Sequence, residues 1–221
     1  MKNRPVFGAL VVLVLAALAC NALPGSGGGS NDGSGALFQD DFANQSNGWD
    51  VYQNDNAQAW YEGGEYILRV FPTSWFAWAN PEGASPKLEN VRIEVSAHSA
   101  GEATEPGFGI MCHYQDKNNT YYMGVSVDGY YVIAKTVDGT DTVLSHTDSW
   151  VQSDAIPVNA SLYNIRAECG NGTLALYMGD TQLASVSDST FISGNVGLFA
   201  QTFDQGNAEI RFDNLVATSL K

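Results

Sequence analysis

The chain has 221 residues, of which 44% are hydrophobic, and its 24 acidic residues outnumber 10 basic ones, which gives a formal net charge of −14. No basic block interrupts this acidic composition, so nucleic acid and anionic lipid surfaces are disfavoured as partners. The acidity suits solubility and is compatible with calcium binding. The length is sufficient for a full hydrophobic core.

The N-terminal segment has the pattern of an export signal. Lys2 and Arg4 precede an apolar run from Val6 to Ala19. This run is too short to span a bilayer comfortably, but it fits the core of a signal peptide. We therefore predict a signal peptide over residues 1–19.

Cys20 ends the letters LAALAC, which resemble the lipobox of bacterial lipoproteins. The resemblance implies that Cys20 becomes the lipidated N-terminus; the alternative is cleavage after Ala19 with Cys20 unmodified. Residues 24–35 are rich in Gly and Ser, so they should form a flexible coil with a reach of about 20 Å. We expect residues 20–35 to tether a domain to the bacterial cell surface or envelope, with secretion as the alternative.

Residues 36–221 have the pattern of one all-β domain. Short β-branched and aromatic runs alternate with glycine-containing turns, and no segment has a sustained helical period. Asp128-Gly129, in VSVDGYYVI, is the strongest hairpin signal. In NVRIEVSA, Val91, Ile93 and Val95 alternate with polar residues, as in a sheet with one buried face. We predict a two-sheet antiparallel β-sandwich.

Several segments resemble the concanavalin A-like lectin/glucanase superfamily in its laminin-G-like jelly-roll form. They are FQDDFANQSNGWDVY, FGIMCHYQDKNNTYYMGVSVDGYYVI, YNIRAECGNGTLALYMGDTQLASV, GNVGLFAQTF and AEIRFDNLVA. The resemblance implies a concanavalin A-like jelly roll. It leaves the function open among lectins, glycosidases and protein-binding modules, since this fold carries all three.

The middle segment predicts three antiparallel strands. We expect FGIMCHY and YYMGVSV to pair so that His113 faces Tyr122, and a two-residue turn at Asp128-Gly129 to bring Lys135 opposite Tyr122. Neighbouring strand residues point to opposite faces, so Cys112 points into the core and His113 away from it. A nucleophile and base pair formed by Cys112 and His113 is thereby excluded.

The two later cysteines share an inward orientation. Cys169 follows the apolar parity of Tyr163, Ile165 and Ala167, as Cys112 follows that of its own strand. In an exported protein this favours a disulfide between Cys112 and Cys169. The alternative is two buried free thiols that act as small hydrophobic residues.

The face opposite the core is the predicted ligand-binding surface. The expected register puts His113, Tyr122 and Lys135 in one row and Tyr131 in the third row of the same face. Trp78, from TSWFAWANP, is the tryptophan that we assign to the same surface. Aromatic side chains beside small residues suit a saccharide, which stacks its C–H faces on rings while polar groups bind its hydroxyls. The alternative is an ordinary solvated sheet face.

The resemblance also suggests a structural calcium ion. In this superfamily such an ion often lies where the first and last strands meet, and Asp41 and Asp213 match those places. Carboxylate oxygens are hard ligands of the kind that calcium prefers. The alternative is two ordinary carboxylates, one at the start of a strand and one in the last strand.

Catalytic signatures are lacking. The Glu-x-Asp-x-x-Glu motif of the superfamily's glucanases is absent, and Glu209 and Asp213 lie about 13 Å apart along a strand, too far for a glycosidase pair. Relatives called 3-keto-disaccharide hydrolases have Asn-Ser-Gly where this chain has EPGFGI. We expect a carbohydrate-binding module for extracellular or envelope glycans. The alternatives are a glycoside or 3-keto-glycoside hydrolase, and a protein-binding or structural envelope module.

Overall fold

The computed structural model describes residues 35–81, 87–146 and 149–220. The predicted signal peptide, the lipidation site at Cys20 and nearly all of the linker lie outside these residues. The described residues contain no helix that could cross a membrane. Their strands, in chain order, are β1 (Ala36–Asp40), β2 (Tyr52–Gln53), β3 (Ala57–Glu62), β4 (Glu65–Val70), β5 (Phe76–Ala79), β6 (Val91–Ser99), β7 (Gly107–Asp116), β8 (Asn119–Ser126), β9 (Tyr130–Val137), β10 (Thr140–Val143), β11 (Val151–Gln152), β12 (Tyr163–Gly170), β13 (Thr173–Met178), β14 (Thr181–Ser187), β15 (Asn195–Gln201) and β16 (Ala208–Ser219).

The strands form two antiparallel sheets that face each other. The nine-stranded sheet has the order β14-β13-β12-β6-β16-β4-β3-β2, with β1 paired to β16. The seven-stranded sheet has the order β10-β9-β8-β7-β15-β5, with β11 paired to β9. Alternation along β6 buries Val91, Ile93 and Val95 and exposes Arg92 and Glu94, as the sequence predicted. The main core lies between the sheets.

A disulfide joins the sheets through the core. It links Cys112 in β7 to Cys169 in β12, with 6.6 Å between their Cα atoms, and both residues are fully buried. This confirms the predicted bridge. Because β7 and β12 belong to different sheets, the bridge fixes the two layers of the sandwich to each other.

The pairing of β7 with β8 differs from the prediction. Cys112 pairs with Tyr121 and Met111 with Tyr122, and the register then shifts before Asp116. His113 lies in this bulge with φ of 50°. A bulge inserts an unpaired residue and redirects its side chain, so the expected pairing of His113 with Tyr122 is wrong.

The pairing of β8 with β9 is also displaced by one residue. Tyr122 pairs with Ala134 instead of Lys135, and Val125 pairs with Tyr131. The turn contains three residues, 127–129, instead of two, and it ends on Gly129 with φ of 96°. Because side chains alternate along a strand, a shift of one residue exchanges the two faces of β9. Val132 and Ala134 therefore lie on the outer face, where the sequence predicted Lys135 and Tyr131.

Candidate functional site

The outer faces of the two sheets differ in chemistry. On the nine-stranded sheet, charged side chains pair across strands: Arg211 contacts Glu209 at 2.8 Å and Glu65 at 3.2 Å, and Arg92 contacts Glu168 at 2.8 Å. The seven-stranded sheet instead carries a second apolar cluster on its outer face, separate from the main core. That face is therefore the unusual surface of this sandwich, since a solvated sheet face is normally polar.

The centre of the second cluster is a layer of aromatic rings. Phe76 in β5 stacks on Phe199 in β15 with 4.9 Å between ring centroids, and Tyr122 in β8 lies 5.2 Å from Phe76. Gly124 makes room for this layer, because a Cβ atom there would lie 2.6 Å from the Phe199 ring and 2.3 Å from the Phe108 carbonyl oxygen. The close packing of this layer therefore requires glycine at position 124, in a central strand.

Trp78 extends the layer toward the sheet edge. Its side chain and that of Tyr114 pack against the same apolar cluster. Its backbone carbonyl accepts a hydrogen bond of 2.9 Å from the hydroxyl of Tyr52, which belongs to the other sheet. Burial raises the pKa of Tyr52 to about 12, with a smaller contribution from the charge of Asp50, so this hydroxyl remains a donor at physiological pH. These contacts fix Trp78 in place.

A pocket of about 460 Å³ opens where the edge strands β2 and β5 come together. We call it the edge pocket. Its apolar wall comes from Trp75, Phe76 and Trp78, and Trp75 is 42% exposed. Its polar wall comes from Asp50, Tyr52, Asn54, Asp55 and Asn56. Exposed rings beside amide and carboxylate groups are the combination that recognises a saccharide ring and its hydroxyls.

The structure brings together two of the five predicted ligand-binding residues. Trp78 lines the edge pocket, and Tyr122 lies on the same outer face. Tyr122 is only 8% exposed, however, because the rings of Phe76 and Phe199 pack against it. Tyr122 therefore packs against Phe76 within the layer, and its ring is not accessible for stacking on a ligand.

His113 lies on the other side of β7. It is 2% exposed, and its ring nitrogens Nδ1 and Nε2 lie 3.0 and 2.7 Å from the carbonyl oxygens of Phe191 and Glu89. The expectation that His113 points away from the core is wrong, because the bulge turns its ring back toward Tyr121. Its contacts join β7 to the segment after β14.

Lys135 and Tyr131 also lie on the inner side. The Nζ atom of Lys135 contacts Asp188 at 2.6 Å and donates a hydrogen bond of 2.8 Å to Thr190. Tyr131 packs against the main core. The expected row is therefore broken: the bulge in β7 turns His113 inward, and the one-residue shift of β9 turns Lys135 inward, while Tyr122 stays on the outer face.

Sequence reasoning missed Trp75 and Phe76 as members of the site. Alternation along TSWFAWANP does separate Trp75 from Trp78, but Trp75 precedes β5, where strand parity no longer fixes the side chain. The polar wall was also missed. It comes from residues 50–56, a connecting segment whose position depends on how the two sheets meet.

The predicted calcium ligands make local contacts. The Asp41 carboxylate accepts a hydrogen bond of 3.1 Å from the Ala43 N–H, and the Asp213 carboxylate accepts one of 2.7 Å from the Asn214 N–H. Among the described residues, no group of three or more His, Cys, Asp or Glu side chains is placed to hold a metal ion. Calcium binding by Asp41 and Asp213 stays a prediction.

Several solved structures have a similar architecture. The structure is similar to the carbohydrate-binding module CBM66 from Bacillus subtilis, with a TM-score of 0.56, 18% sequence identity, and coverage of 78% of this chain and 96% of that one. It is similar to the Bacillus licheniformis β-glucanase, with a TM-score of 0.56, 11% identity, and coverage of 85% and 100%. A Bacillus subtilis protein of unknown function with a galectin-like fold gives a TM-score of 0.61 at 8% identity, with coverage of 84% and 96%.

The fold is the concanavalin A-like jelly roll. This confirms the fold predicted from the sequence. No family model and no curated protein matches the chain. At these sequence identities the structural likeness establishes the fold alone, and jelly rolls of this type include both binding modules and glycosidases.

Proposed function

We propose that this protein is an exported, lipid-anchored surface protein whose jelly roll binds extracellular or envelope carbohydrate. The observation that carries the proposal is the edge pocket, where Trp75, Phe76 and Trp78 face the polar groups of residues 50–56. Stacking on fixed rings stabilises a sugar with little loss of side-chain entropy, and the aromatic layer holds the rings of Phe76 and Trp78 in place.

The adjoining face favours binding through apolar contact. Strand pairing places Trp78, Phe199, Gly109, Gly124 and Val132 in one row across the seven-stranded sheet. The next row contains Met111, Tyr122 and Ala134. Neither row carries a carboxylate. The carboxylates of the proposed site, Asp50 and Asp55, lie in the edge pocket, and a hydrolase would have to use them as the pair beside the scissile bond. The similarity to a carbohydrate-binding module agrees with this preference, although it is a likeness of fold.

Trp75 provides the direct test. Trp75→Ala should weaken glycan binding by about tenfold or more, since loss of a stacking ring in a small site commonly costs more than about 1 kcal/mol. The thermal melt should change little, because this ring is 42% exposed. A glycan array of the mature chain identifies the ligand, and calorimetry with parent and variant measures the change.

Trp60→Ala is the matched control. Trp60 is a half-buried tryptophan of β3, in the nine-stranded sheet, and it lies outside the edge pocket. Its removal should leave glycan affinity unchanged. A parent protein that binds no glycan on the array, or a Trp75→Ala variant with parental affinity, would contradict the proposed site.

A further inference from the structure

A second cavity, of about 350 Å³, lies at the turn end of the same seven-stranded sheet. We call it the turn pocket. Its walls include the rings of Tyr130, Trp150 and Phe203 and the carboxylates of Glu105 and Asp128. The residues come from the starts of β7 and β9, the end of β8, and the segments before β11 and after β15, so only the folded sheet brings them together.

The floor of the turn pocket depends on Gly107. A Cβ atom at this position would lie 2.7 Å from the ring of Trp150 and 3.4 Å from the ring of Phe203. The absent side chain lets Trp150 lie directly over the strand. Trp150 and Phe203 then meet edge to face, with 5.4 Å between their centroids. The two rings support each other and leave ring surface toward the cavity.

The two carboxylates come from neighbouring strand ends. Gly107 pairs with Ser126, and the Val127 N–H donates a hydrogen bond of 3.2 Å to the Pro106 carbonyl oxygen. Glu105 precedes Pro106 and Asp128 follows Val127, and both residues line the turn pocket. Neither side chain has a hydrogen-bond or ion-pair partner among the residues that the structure describes. Like charges that line one small cavity repel each other, so a cation bound there would be favoured.

Charge decides which glycans suit the two pockets. The edge pocket is lined by Asp50 and Asp55, the turn pocket by Glu105 and Asp128, and no Lys or Arg belongs to either lining. Uronate or sulfated sugars would be repelled. An ammonium group, by contrast, would be attracted to the carboxylates and would also gain from the faces of nearby rings.

The two pockets are connected through the chain between them. The Trp75 N–H donates to Thr202 Oγ1 at 3.1 Å, and the Thr202 N–H donates to the Trp75 carbonyl oxygen at 2.9 Å. The Ser74 N–H donates to the Phe203 carbonyl oxygen at 2.8 Å. Trp75 of the edge pocket and Phe203 of the turn pocket therefore lie on adjoining, hydrogen-bonded segments.

We propose that the turn pocket is a subsite for an amino sugar with a free ammonium group, and that the protein selects glycans containing such sugars. This inference rests on the proposed carbohydrate-binding function. In the bound state the ammonium lies between Glu105 and Asp128, and the sugar ring stacks in the cage of Trp150, Phe203 and Tyr130. Neighbouring sugars of the same chain occupy the edge pocket.

The test compares two ligands of equal length, an oligomer of β-1,4-linked glucosamine and its fully N-acetylated counterpart. Calorimetry with the mature protein at low salt and mildly acidic pH, where the ligand's amines are charged, should show about tenfold tighter binding of the free amine. Because the preference is electrostatic, it should shrink at high salt. In the double variant Glu105→Gln, Asp128→Asn, most of this preference should be lost, and what remains should come from Asp50 and Asp55 in the edge pocket.

A charge-matched control is Glu89→Gln, Asp138→Asn, which removes two exposed carboxylates that line neither pocket. This variant should keep the preference for the amine. Thermal melts check that both double variants fold. Trp150→Ala should weaken both oligomers, which separates the ring cage from simple charge attraction.

The outcomes distinguish the subsite from the function. Equal or tighter binding of the N-acetylated oligomer, or a full amine preference in the Glu105→Gln, Asp128→Asn variant, would overturn the amino-sugar subsite while leaving carbohydrate binding intact. If neither oligomer bound and a glycan array were also blank, the proposed function would fail together with the subsite. If neither oligomer bound but the array showed another glycan, only the subsite would be overturned.

Discussion

Asp188 holds the segment after β14 against the seven-stranded sheet. Its carboxylate contacts Lys135 Nζ at 2.6 Å and accepts a hydrogen bond of 2.5 Å from the Tyr121 hydroxyl. The same hydroxyl accepts a hydrogen bond of 3.0 Å from the Phe191 N–H. Burial alone would raise the pKa of Asp188, but the hydrogen bonds from Lys135, Tyr121 and Thr190 outweigh it and hold that pKa well below its usual range.

Removing this charge should destabilise the fold in a pH-dependent way. Asp188→Asn leaves the Lys135 ammonium, whose side chain is 20% exposed, without its carboxylate, and we expect a loss of about 1–3 kcal/mol at neutral pH. The folded pKa of Asp188 lies below the unfolded value. Its charge therefore stabilises the protein fully above about pH 5, and this contribution is lost as the pH falls below about 4.

Denaturant unfolding of parent and Asp188→Asn between neutral pH and about pH 3 measures this difference. The two curves should converge as the pH falls. Asp138→Asn, in the exposed turn between β9 and β10, is the control and should differ little from the parent at any pH. A constant Asp188→Asn deficit across the range would show that packing, and not charge, is responsible.

At the scale of strands, the disulfide and the β8–β9 turn have the largest consequences. The turn sets which side of β9 meets the core, because it has three residues and not two. The disulfide ties β7 of one sheet to β12 of the other across 57 positions of sequence. Such a cross-link acts mainly by restricting the unfolded chain.

Loss of the bridge should therefore lower stability strongly without changing the fold. In the loop-entropy model, closing a loop of this length contributes about 4 kcal/mol, so Cys112→Ala, Cys169→Ala should melt about 10 °C below the parent. Intact-mass analysis of the parent with and without reductant should differ by two hydrogens. Two alkylatable thiols from these positions in the denatured, unreduced protein would contradict the bridge.

At the scale of the whole molecule, the acidic jelly roll follows residues 1–34, which the structure does not describe. The pattern of residues 1–35 predicts export, lipidation at Cys20 and a flexible spacer. A glycan-binding face gains from such an arrangement, because the anchor keeps the domain at the surface while the spacer lets it reorient.

The anchor is tested by fractionation. Native protein should sediment with membranes, whereas Cys20→Ser should release it into the medium or another soluble fraction. Cys112→Ser serves as the control, since loss of the disulfide should not detach the protein. Native protein found free, with an unmodified Cys20 at its N-terminus, would refute lipidation.

The sequence by itself determined the all-β sandwich and the disulfide. Both depend on local alternation: in β6, β7 and β12 the apolar parity reaches Val95, Cys112 and Cys169 without needing the partner strands. Alternation also gave the right core side for Phe108, Ile110 and Met123. Such patterns can be read from the sequence because the two-residue alternation of side chains is a property of each strand by itself.

Only the tertiary structure decided the site. One additional turn residue exchanged the inner and outer faces of β9 relative to the prediction, because a register shift of one position moves each side chain to the other face. The bulge at His113 turned that side chain from the predicted outer face to the inner one. Trp78 was placed on the correct surface from sequence. The walls of the edge pocket, however, meet only when the two sheets pack, and those of the turn pocket meet only when the seven-stranded sheet has formed. Their positions depend on contacts between distant segments, which no local pattern in the chain encodes.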